Sequence, residues 1–146
     1  MRLASALLVV CAIGFLTADD PKNKDADSPK GKWTAVSISM GGMAVPDEVV
    51  KGFKFNLDDK TYTNIIKEEV VEEGEYKIDA TMSPKTIDFD IKKGRDDGKK
   101  QLGIYKIDGE KLTIVAAVAG SDERPKSFNV ESGSQLLELV LEKAKP

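Results

Sequence analysis

Apolar and polar residues alternate along most of the chain that follows Gly31. In the segment "GFKFNL", Phe53, Phe55 and Leu57 fall on one face, and polar residues lie between them. The segment "TIDFDIKK" at residues 86–93 repeats the same pattern. A period of two with one polar face is typical of β-strands that are buried on one side only. The alternation therefore predicts a sheet with one face packed against a core.

Residues that form turns separate these alternating segments. The clearest case is Asp108-Gly109, because glycine tolerates the positive φ that a tight hairpin turn requires. A short helix is predicted in "PDEVVKG", where Pro46 suits the first helical position and Gly52 suits the end. Strands are predicted at residues 32–40, 52–57, 61–67, 74–79, 85–92, 102–107, 111–118 and 135–142. About eight short strands at close spacing predict an all-β fold with at most one short helix, an antiparallel up-and-down meander that closes as a barrel or folds as a sandwich.

The beginning of the chain has the layout of a secretory signal peptide. Arg2 precedes an apolar run from Leu3 to Leu16, and Ala18 comes just before a switch to acidic residues. This layout predicts a signal peptide at residues 1–18. The apolar run is shorter than the roughly 20 residues that a spanning helix needs. We therefore expect an exported protein, periplasmic or extracellular, with no stable membrane span after cleavage.

Residues 19–30, "DDPKNKDADSPK", contain two prolines, many charges and no aliphatic side chain larger than alanine. Such a segment cannot bury enough apolar surface to offset the entropy of ordering it, so it predicts a disordered leader. The folded domain is then expected at residues 31–143.

Composition excludes several kinds of chemistry. The chain contains no histidine, and its one cysteine, Cys11, lies in the predicted signal peptide. Ser-His-Asp and Cys-His catalysis are thereby excluded, and zinc and copper lack their preferred ligands. The net charge is −3, with acidic and basic residues interspersed, which argues against a nucleic-acid partner. We expect no cofactor, no metal and no catalytic residues.

Carboxylates are plentiful but offer only weak signals of an active site. Asp88 and Asp90 share one strand face, opposite the apolar residues, and are therefore expected to be solvated. The segment "KEEVVEEGE" at residues 67–75 is interpreted as a solvated strand pair and turn, since it lacks the residue spacing of a calcium loop. The segment "GRDDGKK" opens no helix and makes a poor phosphate cradle. We expect the protein not to be an enzyme.

Eight inward-facing residues are expected to line the barrel. An eight-stranded barrel is either filled by its own side chains or holds one small ligand. These residues are apolar apart from two phenols, so they suit a hydrophobic ligand with one or two polar groups, and they equally suit a filled core. The predicted lining residues are Phe53, Phe55, Tyr76, Ile87, Phe89, Tyr105, Leu137 and Leu139.

The loop "AGSDERPKSFNVESGS" at residues 119–134 is longer than a hairpin requires. It is expected to cross the barrel surface or one end of the barrel. Arg124 then either meets an anionic group of a ligand at the mouth or pairs with a neighbouring acid, and Phe128 is expected to anchor the loop in the core.

Five motifs follow one another along the chain: "GKW" at residues 31–33, "EGEYKID" at 73–79, "SPKTIDFDI" at 83–91, "GIYKIDGEKLTI" at 103–114 and "ERPKSF" at 123–128. Together, in this order, they resemble the small secreted lipocalin-like domains that are abundant in planctomycete bacteria. The resemblance implies an exported lipocalin-like β-barrel and carries over no activity. In lipocalins the tryptophan of Gly-x-Trp plugs one end of the barrel, which implies that Trp33 is a plug and that any ligand enters from the opposite end.

The sequence departs from this family at two places. Val115, Ala116 and Ala117 stand where many members are expected to have a cysteine, and Lys143 stands where an arginine is common. If that arginine normally packs on the tryptophan, Lys143 is a weaker substitute, because its compact ammonium stacks poorly on a ring.

The sequence thus predicts an exported, non-enzymatic binding module with a small hydrophobic ligand inside the barrel. The alternative is an envelope or extracellular protein-interaction module with a filled core and no small-molecule ligand, and the third class is an enzyme that uses carboxylates. An open apolar cavity of a few hundred cubic ångströms would favour the first function, and a filled interior would favour the second.

Overall fold

Eight antiparallel strands close into a barrel in the computed structural model, which describes residues 27–146. A further two-residue strand and one short helix lie between the first and second barrel strands. The elements are β1 (Gly31–Met40), β2 (Met43–Ala44), α1 (Asp47–Gly52), β3 (Phe53–Leu57), β4 (Thr61–Ile66), β5 (Glu69–Asp79), β6 (Lys85–Lys93), β7 (Lys100–Asp108), β8 (Lys111–Ala117) and β9 (Leu136–Lys143).

Each barrel strand pairs with the next one along the chain, and β1 pairs with β9 to close the sheet. Closure leaves no long free edge between neighbouring strands. The predicted up-and-down meander with one short helix is confirmed, and it forms a barrel rather than a sandwich. The strand β5 begins at Glu69, five residues before the predicted residue 74, and β2 has no counterpart in the prediction.

Three bulges shift the pairing of neighbouring strands among the described residues. In β1 the pairing with β9 shifts between Ala35 and Ser37, and in β5 the partner of Asn64 is Glu72 while that of Ile65 is Val70. The extra residue in these two cases is an exposed valine, Val36 or Val71, and in the third bulge it is Lys92 of β6. A bulge places two residues opposite one and so changes which face the following residues occupy.

The barrel interior is packed with large side chains. Phe53, Phe55, Tyr62 and Phe89 form a chain of ring contacts with centroid distances from 4.9 to 6.4 Å. Such offset and edge-to-face pairs add to the stabilisation that comes from burying the rings. The remaining buried members of the core are Trp33, Ile38, Leu57, Tyr76, Ile87, Ile91, Tyr105, Leu112, Ile114, Ala116, Leu139 and Leu141.

One end of the barrel is sealed, and we call it the closed end. The indole Nε1 of Trp33 donates a hydrogen bond of 2.8 Å to the carbonyl oxygen of Pro29, which is itself buried. The phenol of Tyr105 donates to the carbonyl oxygen of Asp27 at 2.7 Å, and Lys85 forms an ion pair with the Asp27 carboxylate. The segment before β1 therefore covers the ring of Trp33.

Residues 27–30, at the end of the predicted leader, pack against the closed end, because hydrogen bonds from the barrel hold the carbonyl groups of Asp27 and Pro29. The predictions of a signal peptide and of a leader up to residue 26 lie outside the described residues. Within residues 27–146, no helix has the length and apolar character to cross a membrane.

Candidate functional site

The predicted lining residues all belong to the barrel interior, yet they leave very little space. Seven of the eight are buried in the core, and Leu137 packs against it. We call the space that remains the inner cavity, and its volume is about 30 Å³. Four of the predicted residues border it, namely Phe55, Phe89, Leu137 and Leu139. A volume of this size is enough for one or two water molecules but not for a fatty acid or a similar ligand.

The two phenols that were expected to meet a ligand already donate hydrogen bonds to backbone carbonyl groups at the closed end. Tyr76 donates a hydrogen bond of 2.5 Å to the carbonyl oxygen of Asp58, and Tyr105 donates to Asp27 as described above. Burial raises the pKa of Tyr105 to about 12. Both hydroxyl groups therefore act as fixed donors that tie loops to the barrel.

A different polar cluster lies toward the opposite end of the barrel, which we call the open end. The phenol of Tyr62 donates a hydrogen bond of 3.0 Å to Oε1 of Glu72, and Nδ2 of Asn64 donates to the same oxygen at 3.2 Å. Tyr62 and Asn64 lie on β4, and Glu72 lies directly opposite Asn64 on β5. These three side chains border the inner cavity together with Gln101.

The local sequence explains how this cluster forms. Glu72 has the same parity as Gly74 and Tyr76, so it shares their inward face, and the bulge at Val71 keeps it opposite Asn64. Gly74 is needed beside the cluster, because a Cβ there would lie 3.0 Å from Cε1 of Tyr62 and 2.1 Å from a backbone oxygen of β6. The absence of a side chain at this position lets the ring of Tyr62 lie across β5.

Burial sets the electrostatics of the cluster. Loss of water raises the pKa of Glu72, the hydrogen bond from Tyr62 opposes this rise, and the charge of Asp96 adds to it. The pKa of Tyr62 is also raised, first by burial and then by the negative charge of Glu72. The Oδ1 atom of Asn64 is buried and has no hydrogen-bond partner among the described residues. Buried acceptors of this kind normally find a donor, so the cluster lacks one.

The inner cavity adjoins a larger depression at the open end, which we call the outer concavity. Its volume is about 470 Å³, and it shares Asn64, Glu72, Gln101 and Leu137 with the wall of the inner cavity. The apolar part of its lining includes Met40, Val118 and Ala119. The charged part includes Arg95, Asp96 and Lys99 from the loop between β6 and β7.

Arg124 lies on the outer wall of the barrel rather than at the mouth. Its guanidinium forms a two-pronged ion pair with Asp88, in which Nη2 lies 3.0 Å from Oδ2, and Nη1 donates to the carbonyl oxygen of Gly103 at 2.8 Å. The sequence left open a ligand role and a pairing role for Arg124, and the structure has the pairing. The Asp88 carboxylate is correspondingly engaged by this loop.

The loop at residues 119–134 therefore crosses the outside of the sheet. Ile104 and Val115 are buried although they do not belong to the interior core, which is consistent with cover from this loop. Phe128 was expected to anchor the loop in the core, but it is only partly buried and its ring centroid lies 4.7 Å from Nζ of Lys106. It anchors the loop on the outer wall instead, since Lys106 alternates with the inward-facing Tyr105.

Sequence reasoning placed Glu72 in a solvated segment and missed the polar cluster. The signal that could have found it is the spacing of Glu72, Gly74 and Tyr76, which puts the carboxylate in register with an inward-facing ring.

Within residues 27–146, no three carboxylates or thiols converge as they would around a metal ion. Comparisons with models of protein families, with curated proteins and with solved structures found no match to this chain.

Proposed function

We propose that this protein is an exported, non-enzymatic binding module that binds at the open end of its barrel rather than deep inside it. The observation that carries this proposal is the contrast between an inner cavity of about 30 Å³ and an outer concavity of about 470 Å³. Ligand sites commonly have volumes of several hundred cubic ångströms and combine apolar walls with a few polar groups. Of the two spaces, the outer concavity has this size and composition.

The packing of the interior supports the same choice. Phe89 is 5% exposed and packs against the rings of Tyr62 and Phe55, at centroid distances of 4.9 and 6.1 Å. A large hydrophobic ligand would have to displace such rings, and close-packed interiors resist changes of even one methylene group. A filled interior therefore favours recognition at the rim.

Export and the lack of catalysis are supported by the sequence. The apolar run before Ala18 has the layout of a signal peptide, and the "GKW" motif that resembles lipocalin-like domains ends in Trp33, which lies at the closed end. The chain has no histidine, and Oε1 of Glu72 is already engaged by Tyr62 and Asn64. We propose that this carboxylate recognises a ligand instead of transferring a proton.

A protein-interaction module without a small-molecule ligand is the second candidate. Met43 is 73% exposed and Met40 is 53% exposed, and both lie at the open end beside Val118. Exposed methionines suit adaptable contact surfaces. In this alternative the same end of the barrel meets a protein surface, and small molecules do not bind there.

Mapping of bound fragments by ¹H–¹⁵N chemical shifts tests the proposal. We expect fragments to perturb the amides around Asn64, Gln101 and Leu137 and to leave those around Trp33 unchanged. In the variant Val118→Arg, a long charged side chain is placed on the rim, so we expect binding to weaken by about tenfold or more.

The matched control is Val36→Arg, which makes the same change at another exposed valine, on the outer wall, and should bind like the unaltered protein. Fragments that bind only at the closed end, or equal losses in both variants, would contradict the proposal. A complete lack of fragment binding at the open end would favour the protein-interaction alternative.

A further inference from the structure

Two buried or half-buried acceptors border the inner cavity, the Glu72 carboxylate and Oδ1 of Asn64. The neighbouring donors point to other oxygen atoms, because Tyr62 and Nδ2 of Asn64 both donate to Oε1 of Glu72 and Nε2 of Gln101 donates to the carbonyl oxygen of Ala117 at 2.8 Å. Among the described residues, no donor reaches Oδ1 of Asn64, and Glu72 has no ion-pair partner. A group that fits this cavity must therefore bring its own N–H or O–H donors.

Charge narrows the choice of group further. An anion is disfavoured because it would face the Glu72 carboxylate and an unpaired amide oxygen. A plain alkyl group would leave both acceptors unsatisfied, which is costly in a buried site. A cation with several N–H donors satisfies the oxygen atoms and neutralises the carboxylate, and the rings of Phe55 and Phe89 lower the local dielectric so that this attraction is stronger than in water.

Size selects the smallest such cation. The inner cavity of about 30 Å³ has room for one or two water molecules. A primary ammonium group has a similar size and carries three N–H donors. A guanidinium or a trimethylammonium group is larger than this space allows, so among these cations the R–NH₃⁺ head group is the one that fits.

The rest of such a molecule has a place in the outer concavity. This depression shares four wall residues with the inner cavity, and Met40, Val118 and Ala119 give it an apolar side. An alkyl chain attached to the ammonium would lie against these apolar residues, while Arg95, Asp96 and Lys99 of the loop between β6 and β7 supply the charged part of the lining.

We infer that, with the open end as the binding surface of this protein, the ligand is a small primary amine whose ammonium group donates hydrogen bonds to Glu72 and to Oδ1 of Asn64. The selectivity of the site comes from the two acceptors and from the narrow cavity. A primary amine is bound, its alcohol analogue lacks the charge, and its trimethylated analogue lacks the N–H donors and exceeds the space.

Three probes with one alkyl chain test this inference on the unaltered protein at neutral pH. Titrations with butylammonium, 1-butanol and butyltrimethylammonium are followed by ¹H–¹⁵N spectra that include the side-chain amides of Asn64 and Gln101. We expect butylammonium to saturate the protein and the other two probes to bind at least about tenfold more weakly, since hydrogen bonds to charged groups are being lost. Equal binding of all three probes would overturn the inference.

The variant Glu72→Gln removes the charge and keeps the acceptor for Tyr62 and Asn64, and it should weaken butylammonium binding by at least about tenfold. The control Glu73→Gln makes the same change one residue along, on a side chain that pairs with Lys93 at 3.6 Å on the barrel exterior, and should bind like the unaltered protein. Equal affinity of both variants would overturn the inference, and the three-probe comparison does not depend on how either variant folds.

The failure of this inference can be told apart from the failure of the proposed function. If fragments bind at the open end with no preference for amines, or if the inner cavity keeps only water, the amine specificity is wrong and the open end remains the binding surface. If an apolar probe instead enters the barrel interior, the proposed function itself is wrong.

Discussion

At the scale of single residues, the charged side chain of Glu72 lowers the stability of the folded protein at neutral pH. A carboxylate that is partly buried among aromatic rings loses hydration, and two hydrogen bonds from Tyr62 and Asn64 compensate for this loss only in part. The pKa of Glu72 is therefore raised, which means that the folded state holds this proton more tightly than the unfolded state does. The contribution of Glu72 to stability accordingly falls as the pH rises from the unfolded-state pKa through the folded-state pKa.

Replacing Glu72 with Gln should make the protein more stable at neutral pH, because the amide keeps both hydrogen bonds and carries no charge. We expect a gain in the free energy of unfolding on the order of 1 kcal/mol at neutral pH, the usual scale of a single substitution. The gain should disappear well below the ordinary carboxyl pKa of 4.5, where the wild-type side chain is protonated in both states. Urea denaturation across this pH range checks the prediction, and a loss of stability at neutral pH would refute it.

At the scale of elements, the hairpin between β4 and β5 contains a strained turn. Lys67 and Glu68 form the two-residue connection and have φ values of 50° and 67°. Two-residue hairpin turns with positive φ at both positions favour Asn-Gly, because other side chains pay roughly 1 to 2 kcal/mol per residue in this region. The ion pair of Glu68 with Lys54 is exposed and offsets little of this cost.

The double substitution Lys67→Asn with Glu68→Gly should therefore raise the free energy of unfolding by about 1 kcal/mol. As a control, Gly109→Ala in the hairpin between β7 and β8, where φ is 58°, should change the free energy of unfolding in the opposite direction. It should lower that free energy by about 1 kcal/mol. Thermal and urea denaturation measure both effects. A less stable Asn-Gly variant would show that Lys67 and Glu68 carry contacts that outweigh the strain.

The strands and turns could be predicted from the sequence, whereas the register of β5 and the path of the outer loop could not. The strands follow from alternation and the turns from residues such as Asp108 and Gly109, because both signals are local. That Glu72 lies opposite Asn64 depends on the bulge at Val71, which changes the register between β4 and β5, and a bulge leaves no mark on residue type. The path of the outer loop depends on the pairing of Arg124 with Asp88, which lie 36 residues apart in the chain.

At the scale of the whole molecule, the barrel has two unlike ends. Residues 27–30 and the ring of Trp33 seal one end, and the polar cluster and an apolar rim occupy the other. Alternation is the same in a barrel and in a sandwich, so closure between β1 and β9 could not be predicted from it. Nor could the cavity volume, because a list of inward residues does not specify how rings such as Phe55 and Tyr62 pack in three dimensions.

The central claim is that side chains fill the barrel interior, so that a ligand binds at the open end. The free energy of unfolding of the variant Phe89→Ala tests this claim most directly. Phe89 is 5% exposed and borders the inner cavity, so its truncation in a filled core should cost about 3 to 5 kcal/mol in urea denaturation. Phe128→Ala, on the outer wall, should cost clearly less. A small loss for Phe89→Ala, together with saturable uptake of an apolar fluorescent probe by the unaltered protein, would mean that the interior holds a ligand and would contradict the claim.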